Sequence, residues 1–562
     1  MGNCVSLSLT ATRGAPSLSA SKASRKLSPI ESHPFHLPSP LPSFPPGGQF
    51  AKGSIDLGGL EVRQVSNFSS VWATHGGGPD DLGATFFRPS SLPAGFSPLG
   101  YYAQSNNRPL FGWLLVGRAI GSGGDVALAK PSDYTLLWSS ESFNNLKQDG
   151  HGYFWLPTPP DGYRAVGLVV TGSPEKPPLD EVRCVRSDLT EEVENDEYIW
   201  STDGFNVNAS RPAVRGIAAA GVPVGSFLAQ ANNGMVTKLA CLKNSASNFT
   251  NAMPNLNQVE ALMQAYAPKI YFHSDEEYLP SSVNWFFGNG ALLYQRENQS
   301  NPSTPIEPDG SNLPQGESND GAYWIDLPAE DDRKNKVKKG DISSTKVYLH
   351  VKPMLGATFT DMAIWIFYPF NGPARAKVSF INIKLGKIGG HVGDWEHMTL
   401  RISNFTGELR RVYFSEHSAG SWEEASQVEW DGATNKPVGY ASLHGHAMYA
   451  RPGLVLQGNA KLGIGIRNDT DKGSSVDSGE SWEVVGAEYL GVEAPPWVNY
   501  MREWGPKISY DISKELKRAE RLLPGRLKKS LESIIRSLPD EVLGEEGPTG
   551  PKEKTNWAMD EK

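Results

Sequence analysis

The chain has 562 residues, of which 39% are hydrophobic and 20% charged, so it has room for two or three folded domains. A net charge of −9 argues against a general nucleic-acid-binding protein. No run approaches 18 consecutive apolar residues, so no membrane-spanning helix is predicted. With 58 glycines, 42 prolines and many short aromatic or β-branched runs, the composition favours a mainly β fold.

The N-terminus carries an acylation pattern. Met1-Gly2-Asn3-Cys4-Val5-Ser6 fits myristoylation of Gly2, and palmitate on Cys4 would supply the second chain that stable anchoring requires. An alternative is a transit peptide, because residues 7–55 are rich in Ser and Pro and contain one acidic residue. Acylation predicts the cytoplasmic face of the plasma membrane or an endomembrane, and transit predicts the chloroplast.

We divide the chain into four parts. Residues 1–51 are predicted to be a disordered tail, with the proline-rich residues 28–48 extended and unpacked. Residues 52–250 are predicted to form a repeat domain and residues 251–494 a β-sandwich. Residues 495–562 are predicted to hold C-terminal helices and a tail, because leucines recur at helical spacing from 509 to 538. That basic amphipathic pair either packs on the β-domain or contacts a membrane surface.

The repeat domain contains three similar units. Trp72, Trp138 and Trp200 recur at similar intervals, and each precedes a passage of aromatic, proline and glycine residues. A closing strand is predicted to follow at Leu128-Ala129-Lys130, Cys184-Val185-Arg186 and Cys241-Leu242-Lys243. Three small β units cannot each bury a core alone. Arranged about a pseudo-threefold axis they could, which predicts a β-prism-like domain.

The β-sandwich opens with a helix over residues 252–266, capped by Asn255 or Asn257, and continues as strands from Lys346 to Glu493. Ala363-Ile364-Trp365-Ile366-Phe367 is almost wholly apolar and is predicted to lie in a core between two sheets.

The stretch from Gly389 to Ile402 is the candidate site. As a strand it directs Asp394 and Glu396 to the face that continues with apolar residues. Two carboxylates withdrawn from water must be neutralised, and His391 in a glycine-rich loop could turn towards them. One histidine with two carboxylates suits a divalent cation. The alternative is that Arg375, Lys377 or Arg410 pairs with the acids and that His391 only caps a turn.

Further histidines cluster nearby in the sequence, namely His417, His444 and His446. They are predicted either to complete a metal shell or to supply a general base beside a bound water. The alternative is that each bonds a backbone carbonyl at a strand end.

Gly390-His391-Val392-Gly393-Asp394-Trp395-Glu396 resembles the Gly-His-Arg-His-Asp-Trp-Glu signature of necrosis- and ethylene-inducing-like proteins. Those are secreted β-sandwich cytolysins whose signature His, Asp and Glu bind a divalent cation. The resemblance implies a metal site at His391, Asp394 and Glu396. Asn371 stands where the family has a further Asp, and Val392-Gly393 replaces the family's Arg-His.

A second resemblance covers nearly the whole chain. It is to the plant vacuolar protein sorting-associated protein 62-like family, and it implies a role in delivering proteins to the vacuole. It is carried by Leu37-Pro38-Ser39-Pro40-Leu41-Pro42, Ala267-Pro268-Lys269-Ile270-Tyr271-Phe272-His273, the His391 stretch, Ser415-Glu416-His417-Ser418, Gly445-His446-Ala447-Met448-Tyr449 and Pro495-Pro496-Trp497.

Together these features predict a mainly β, non-enzymatic peripheral membrane protein of vacuolar protein sorting. It would use a divalent cation, calcium or magnesium, to recognise lipid or glycan head groups, with trafficking proteins as further partners and no nucleic acid. Two alternatives stay open: a metal-dependent hydrolase that uses the histidine cluster, and a membrane-disrupting defence protein.

Overall fold

The computed structural model describes residues 34–120, 126–231, 238–296, 303–316, 318–416, 419–459, 463–507, 511–521 and 547–561, with 524, 525, 528, 529 and 532. The chain is mainly β, as predicted. The acylation sites Gly2 and Cys4 lie outside the described residues, so acylation stays a prediction. None of the helices in the described ranges combines the length and apolar character that crossing a bilayer requires.

The strands of the repeat domain are Ser54–Asp56 (β1), Leu60–Val65 (β2), Phe68–Ala73 (β3), Ala84–Pro89 (β4), Ser97–Pro98 (β5), Tyr102–Ser105 (β6), Leu114–Ala119 (β7), Leu128–Ala129 (β8), Asp133–Ser139 (β9), Tyr153–Thr158 (β10), Tyr163–Arg164 (β11), Val169–Thr171 (β12), Cys184–Arg186 (β13), Thr190–Thr202 (β14), Phe205–Pro212 (β15), Gly221–Val222 (β16), Phe227–Ala231 (β17) and Ala240–Lys243 (β18). The three predicted closing segments therefore form β8, β13 and β18. Strands β8 and β13 pair with each other, whereas β18 pairs with β14 and β16.

Three antiparallel arrangements of three strands recur in this domain: β3-β4-β6, β9-β10-β12 and β14-β15-β17. The first strand of each carries its repeat tryptophan directly after an irregularity in the pairing register. The extra residues are Val71, Leu137 and Ile199, each one position before the tryptophan. Each repeat therefore contains the same β-bulge, which bends the strand at the point where the indole enters the core.

The three repeat tryptophans meet. Ring centroids lie 6.0 Å apart for Trp72 and Trp138, 5.7 Å for Trp72 and Trp200, and 6.0 Å for Trp138 and Trp200. Phe86 and Phe154, which pair across the strands with the first two tryptophans, pack on the same cluster. The three units thus share one aromatic core, while their closure as a β-prism about a pseudo-threefold axis stays a prediction.

The strands of the second domain are Lys269–Phe272 (β19), Leu292–Gln295 (β20), Ser303–Pro305 (β21), Tyr323–Asp326 (β22), Val347–Met354 (β23), Phe359–Asn371 (β24), Arg375–Val378 (β25), Ile381–Lys384 (β26), His391–Ser403 (β27), Leu409–Glu416 (β28), Ala419–Glu424 (β29), Val438–Ala441 (β30), Met448–Tyr449 (β31), Gly453–Asn459 (β32), Ile464–Thr470 (β33), Ser475–Asp477 (β34) and Trp482–Gly486 (β35). The central sheet has the order β29-β28-β27-β24-β23-β35. A second sheet, β31-β30-β19-β34, packs on one of its faces.

Both faces of the central sheet are buried. Met398 and Leu400 of β27 lie in the core shared with β19, whereas Trp395 lies in an aromatic core on the opposite face. In β24, Ile364 faces the first core and Trp365 the second. The predicted alternation of β27 and the predicted burial of β24 are therefore confirmed.

The helices are Leu256–Tyr266 (α1), Val283–Gly288 (α2), Asp331–Lys338 (α3) and Ile512–Glu520 (α4). Helix α1 confirms the predicted connecting helix. Asn255 caps it in a reciprocal pair with Gln258, since each side chain accepts a hydrogen bond from the other's backbone N–H. Helix α4 packs Ile512 and Leu516 on the small core beneath β25 and β33. The second predicted C-terminal helix lies mostly outside the described residues.

The prediction of an unpacked tether is wrong for residues 34–48. The Ser39 N–H donates to Asn435 Oδ1 (2.8 Å), and Asn435 Nδ2 returns a bond to the Ser39 carbonyl (3.0 Å). Gln258 Nε2 donates to the carbonyls of Pro45 (2.9 Å) and Gly47 (3.0 Å). An extended proline-rich chain leaves its carbonyls available as acceptors, and buried amides of the second domain use them.

A C-terminal segment, residues 551–561, crosses the central sheet and inserts carboxylates beside buried cations. Arg401 makes two bonds to Asp361 (2.9 and 2.7 Å) and one to Asp560. Lys352 Nζ lies 3.7 Å from Glu561 Oε1 and donates to the Met559 carbonyl (3.1 Å). All five charged side chains are buried, so these carboxylates offset a desolvation cost of several kcal/mol per cation.

Glu561 makes stability depend on acid pH. Burial would raise its pKa, but the charges of His397 and Lys352 and hydrogen bonds from His397 and Thr399 hold the pKa at about 2, below its ordinary 4.5. The stability that Glu561 contributes is fully present above pH 4.5 and is lost as the pH falls towards 2. We expect Glu561→Gln to lower the free energy of unfolding by about 3 kcal/mol at pH 7.

The measurement is urea unfolding at pH 7, 5 and 3 of the native chain, Glu561→Gln and the exposed control Glu493→Gln. The native chain and the control should lose about 2 kcal/mol more than Glu561→Gln between pH 5 and 3. Equal losses in all three proteins would contradict the assignment.

Candidate functional site

The ends of β24 and β27 bring the predicted residues together. Asn371 lies opposite His391 in the register of the two strands, and Tyr368 lies opposite Asp394. Gly393 has φ 68°, and a Cβ there would lie 2.5 Å from the Trp504 carbonyl oxygen, so a side chain cannot be accommodated. The glycine thus lets the chain at Trp504 pack against the strand between His391 and Asp394.

His446 neutralises Asp394. Its Nδ1 lies 2.9 Å from Asp394 Oδ2, its Nε2 lies 3.0 Å from the Tyr278 carbonyl, and its ring stacks on Tyr368 at 3.7 Å. Both ring nitrogens face acceptors, so both bonds form when the imidazole carries two protons. Two of the alternative partners pair elsewhere: Arg375 with Asp469 and Arg410 with Glu408.

Electrostatics favour an ionised Asp394. Burial would raise its pKa, but the hydrogen bond from His446 and the positive charges of His391, His446 and Lys554 outweigh that effect and lower the pKa below its ordinary value. The pKa of Tyr368 shifts in the other direction. Burial and the neighbouring carboxylates both raise this pKa, to well above 10. Tyr368 therefore stays a neutral phenol beside a carboxylate that is charged.

Glu276 joins His444 and His446 from a distant loop. The His444 N–H donates to Glu276 Oε2 (2.6 Å), and His444 Nδ1 lies 3.4 Å from Oε1. His446 Nε2 lies 4.0 Å from Oε2. Both histidines have positive φ, 70° and 55°, which non-glycine residues adopt at a cost of about 1 kcal/mol or more. This strained turn is what points both rings at the carboxylates.

The other predicted residues have internal partners as well. Glu396 accepts a bond from the Ser415 hydroxyl, and His391 Nδ1 lies 2.8 Å from the Gly393 carbonyl. Asn371 Nδ2 donates to the carbonyls of Gly372 (3.1 Å) and Gly389 (2.7 Å). Among the further histidines, the expected bond to a backbone carbonyl is made by His446, and the His391 ring makes a bond of the same kind.

Asn371, His391, Asp394 and Glu396 line one cavity of about 70 Å³, which we call the β27 pocket. That volume is enough for several waters or one small polar group. Carboxylates, amides and cations face one another across it. Its polar lining includes Asn371, His391, Asp394, Glu396, Asn468 and Lys554.

The arrangement does not fit a metal ion as it stands. In the part of the chain that the structure describes, no three His, Cys, Asp or Glu side chains are grouped so as to hold one. The negative charge of Asp394 is met by His446 and by Lys554, a residue of the C-terminal segment. The divalent cation therefore stays a prediction from the resemblance.

The structure unites His391, Asp394, Glu396 and Asn371 in one pocket and places His446 against it, while His417 lies outside the described residues. Sequence reasoning missed other members of the site: Glu276, Tyr278, Ser415 and Lys554. Ser415 lies two residues before His417, a predicted site residue, and Glu276 lies three residues after the Ala267–His273 motif. The sequence around Lys554 contains no motif that would have predicted its place in this site.

Comparison with known proteins gives a family match over nearly the whole chain. The model of the family described as vacuolar protein sorting-associated protein 62 matches residues 31–561. The protein of that name from Saccharomyces cerevisiae is 29% identical over 177 residues, covering 27% of this chain and 36% of the yeast protein. The chain thus matches little more than a third of this relative's length.

Solved structures with a partial likeness include GNIP1Aa from Chromobacterium piscinae, at 19% identity and a TM-score of 0.26, covering 36% of this chain and 40% of that protein. Necrosis and Ethylene inducing Protein 2, from the causal agent of cocoa's Witches Broom disease, gives 14% identity and a TM-score of 0.17, covering 41% and 92%. Scores this low imply nothing about function.

Replacing His446 tests the charge pairing in the site. His446→Phe keeps a ring against Tyr368 but removes both hydrogen bonds, leaving Asp394 without its imidazole partner. We expect a loss of about 3 kcal/mol in the free energy of unfolding. Urea unfolding measures it, with the exposed His151→Phe as control. A loss below about 1 kcal/mol would show that Asp394 does not depend on this partner.

Proposed function

Because the chain belongs to the vacuolar protein sorting-associated protein 62 family, we propose that it acts in vacuolar protein sorting as a non-enzymatic peripheral membrane protein. Its β27 pocket would bind the polar head group of a lipid or a glycan. Acyl chains on Gly2 and Cys4 would tether it to the cytoplasmic face of the plasma membrane or an endomembrane, and trafficking proteins would be its further partners.

The chemistry of the β27 pocket supports this proposal. The carboxylates of Asp394 and Glu396 accept hydrogen bonds, and the amide of Asn468 and the ammonium of Lys554 line the same cavity. A ring of hydroxyl groups both donates and accepts, so it complements such a mixed lining. An inositol or sugar head group fits this description, because its hydroxyl groups can pair with carboxylates, amides and an ammonium alike.

The hydrolase alternative needs a histidine that can take a proton from a bound water. His446 already directs one nitrogen at Asp394 and the other at the Tyr278 carbonyl, which favours a positioning role over a base. Among the described residues, which do not include His417, no specific contact favours the hydrolase or the membrane-disrupting alternative over head-group binding.

Vesicle flotation tests the proposal on the non-acylated full chain, so that the tether does not contribute. Vesicles of phosphatidylcholine would carry either phosphatidylinositol or a neutral glycosylated lipid. We expect the native chain to bind one of these and Asp394→Asn to bind at least ten times more weakly, since hydrogen bonds to a charged acceptor contribute about 1.5–3 kcal/mol.

Asp188→Asn is the matched control, because it neutralises an exposed carboxylate of the repeat domain. It should bind like the native chain. Flotation that is equal in all three proteins, or absent with both lipids, would contradict a head-group site at Asp394.

The divalent cation is a separate proposal with its own measurement. It is tested by calorimetric titration of the full chain with Ca²⁺ and Mg²⁺: if Asp394 can exchange His446 for an ion, about one ion binds to the native chain and none to Asp394→Asn. The ion would have to compete with His446 for Asp394. No heat of binding from either ion would reject the cation and leave direct head-group contacts untouched.

A further inference from the structure

A larger cavity lies between the repeat domain and the second domain. This interdomain cleft has a volume of about 220 Å³, roughly three times that of the β27 pocket. Strands β14 and β15 form one wall, and β27, β28 and β29 form the other. Its guanidinium groups come from both domains: Arg108, Arg211 and Arg215 from the first, and Arg401, Arg410 and Arg411 from the second.

The carboxylates that line the cleft all have close hydrogen-bond donors. Asp196 accepts from Arg211 (3.0 Å), Glu197 from Arg108 (2.9 Å) and Glu424 from the Ser426 hydroxyl (2.7 Å). In the C-terminal segment, the Glu561 N–H donates to Asp560 (2.9 Å) and the Thr399 hydroxyl to Glu561 (2.7 Å). The acidic groups of the cleft are therefore satisfied.

Two arginines of the cleft, in contrast, approach carboxylates only at longer distances. Arg411 approaches Asp196 and Glu197 only to 3.8 and 3.7 Å, and Arg215 approaches Glu194 and Asp560 only to 3.8 and 3.6 Å.

These distances exceed those of hydrogen bonds, and no hydrogen bond from either guanidinium is found within the described ranges. The buried Nε of Arg108 also has no hydrogen-bond partner there, since Glu424 approaches it only to 3.6 Å. Some guanidinium N–H groups that line the cavity therefore have no hydrogen-bond acceptor among the described residues.

The cleft also presents aromatic surface. Trp422 lies 4.2 Å from the guanidinium carbon of Arg401 and 5.7 Å from that of Arg411, measured to its ring centroid. Trp113 packs on Phe359 at 5.3 Å, and both line the cavity. Planar cations beside aromatic faces suit a ligand that combines an anionic group with an apolar one.

We propose that the interdomain cleft is a second binding site, which takes an oxyanion, phosphate or carboxylate, attached to an apolar group. Arg411 and Arg215 would bind the oxyanion with the N–H groups that are not used within the protein, since guanidinium forks match both anions. The apolar part would lie on Trp422 and Trp113.

Calorimetry with phenyl phosphate and benzoate on the full chain tests the proposal, with phenol as the uncharged probe. We expect saturable binding of at least one anion and binding of phenol at least ten times weaker. Arg411→Gln and Arg215→Gln should each weaken anion binding about tenfold or more. Arg164→Gln, which removes an exposed arginine paired with Glu192, is the control and should bind normally.

Arg411→Lys keeps the charge and should still lose affinity, because it lacks the planar fork; circular dichroism verifies that each variant is folded. Phosphatidic acid vesicles that compete with phenyl phosphate would identify a lipid source, and phenyl phosphate binding without vesicle binding would identify a soluble one. Absence of saturable binding by both anions, or unchanged binding in folded Arg411→Gln and Arg215→Gln, would overturn the proposal.

Discussion

The central sheet depends on charges that it cannot neutralise by itself. Lys352 and Arg401 are buried on strands whose neighbouring residues form two apolar cores, and within the sheet the buried carboxylate that faces Arg401 is Asp361. The remaining negative charge comes from Asp560 and Glu561, far along the chain. Because uncompensated buried charge costs several kcal/mol, the C-terminal segment belongs to the fold as fully as any strand.

The same strand and the same segment serve both cavities. Strand β27 presents Asp394 to the β27 pocket and Arg401 to the interdomain cleft, seven residues or roughly 23 Å apart. The C-terminal segment contributes Lys554 to the first and Asp560 to the second. The charge lining each cavity therefore depends on where this one segment lies.

Local sequence patterns predicted the secondary-structure elements, but they could not predict contacts between residues that lie far apart in the chain. The alternation of β27 and the Asn255 cap of α1 are short-range features, and the tryptophan repeat is visible as spacing. Asp394, however, is paired by a histidine 52 residues away, and Glu276 reaches His444 across 168 residues. The proline-rich composition of residues 34–48 predicted extension correctly, but Asn435 and Gln258, which bind that segment, follow from topology alone.

The distance between Lys352 and its acceptors also sets an order of events during synthesis. The Met559 carbonyl lies 207 residues after Lys352. At ribosomal rates of about 5–20 residues per second, the ammonium waits roughly 10–40 s for that partner and for Glu561. The central sheet is complete once β35, Trp482–Gly486, has been made, and it then still lacks the carboxylates of Asp560 and Glu561 that lie beside its buried cations. The free energy that these two C-terminal carboxylates contribute is therefore gained only after the rest of the second domain has been synthesised.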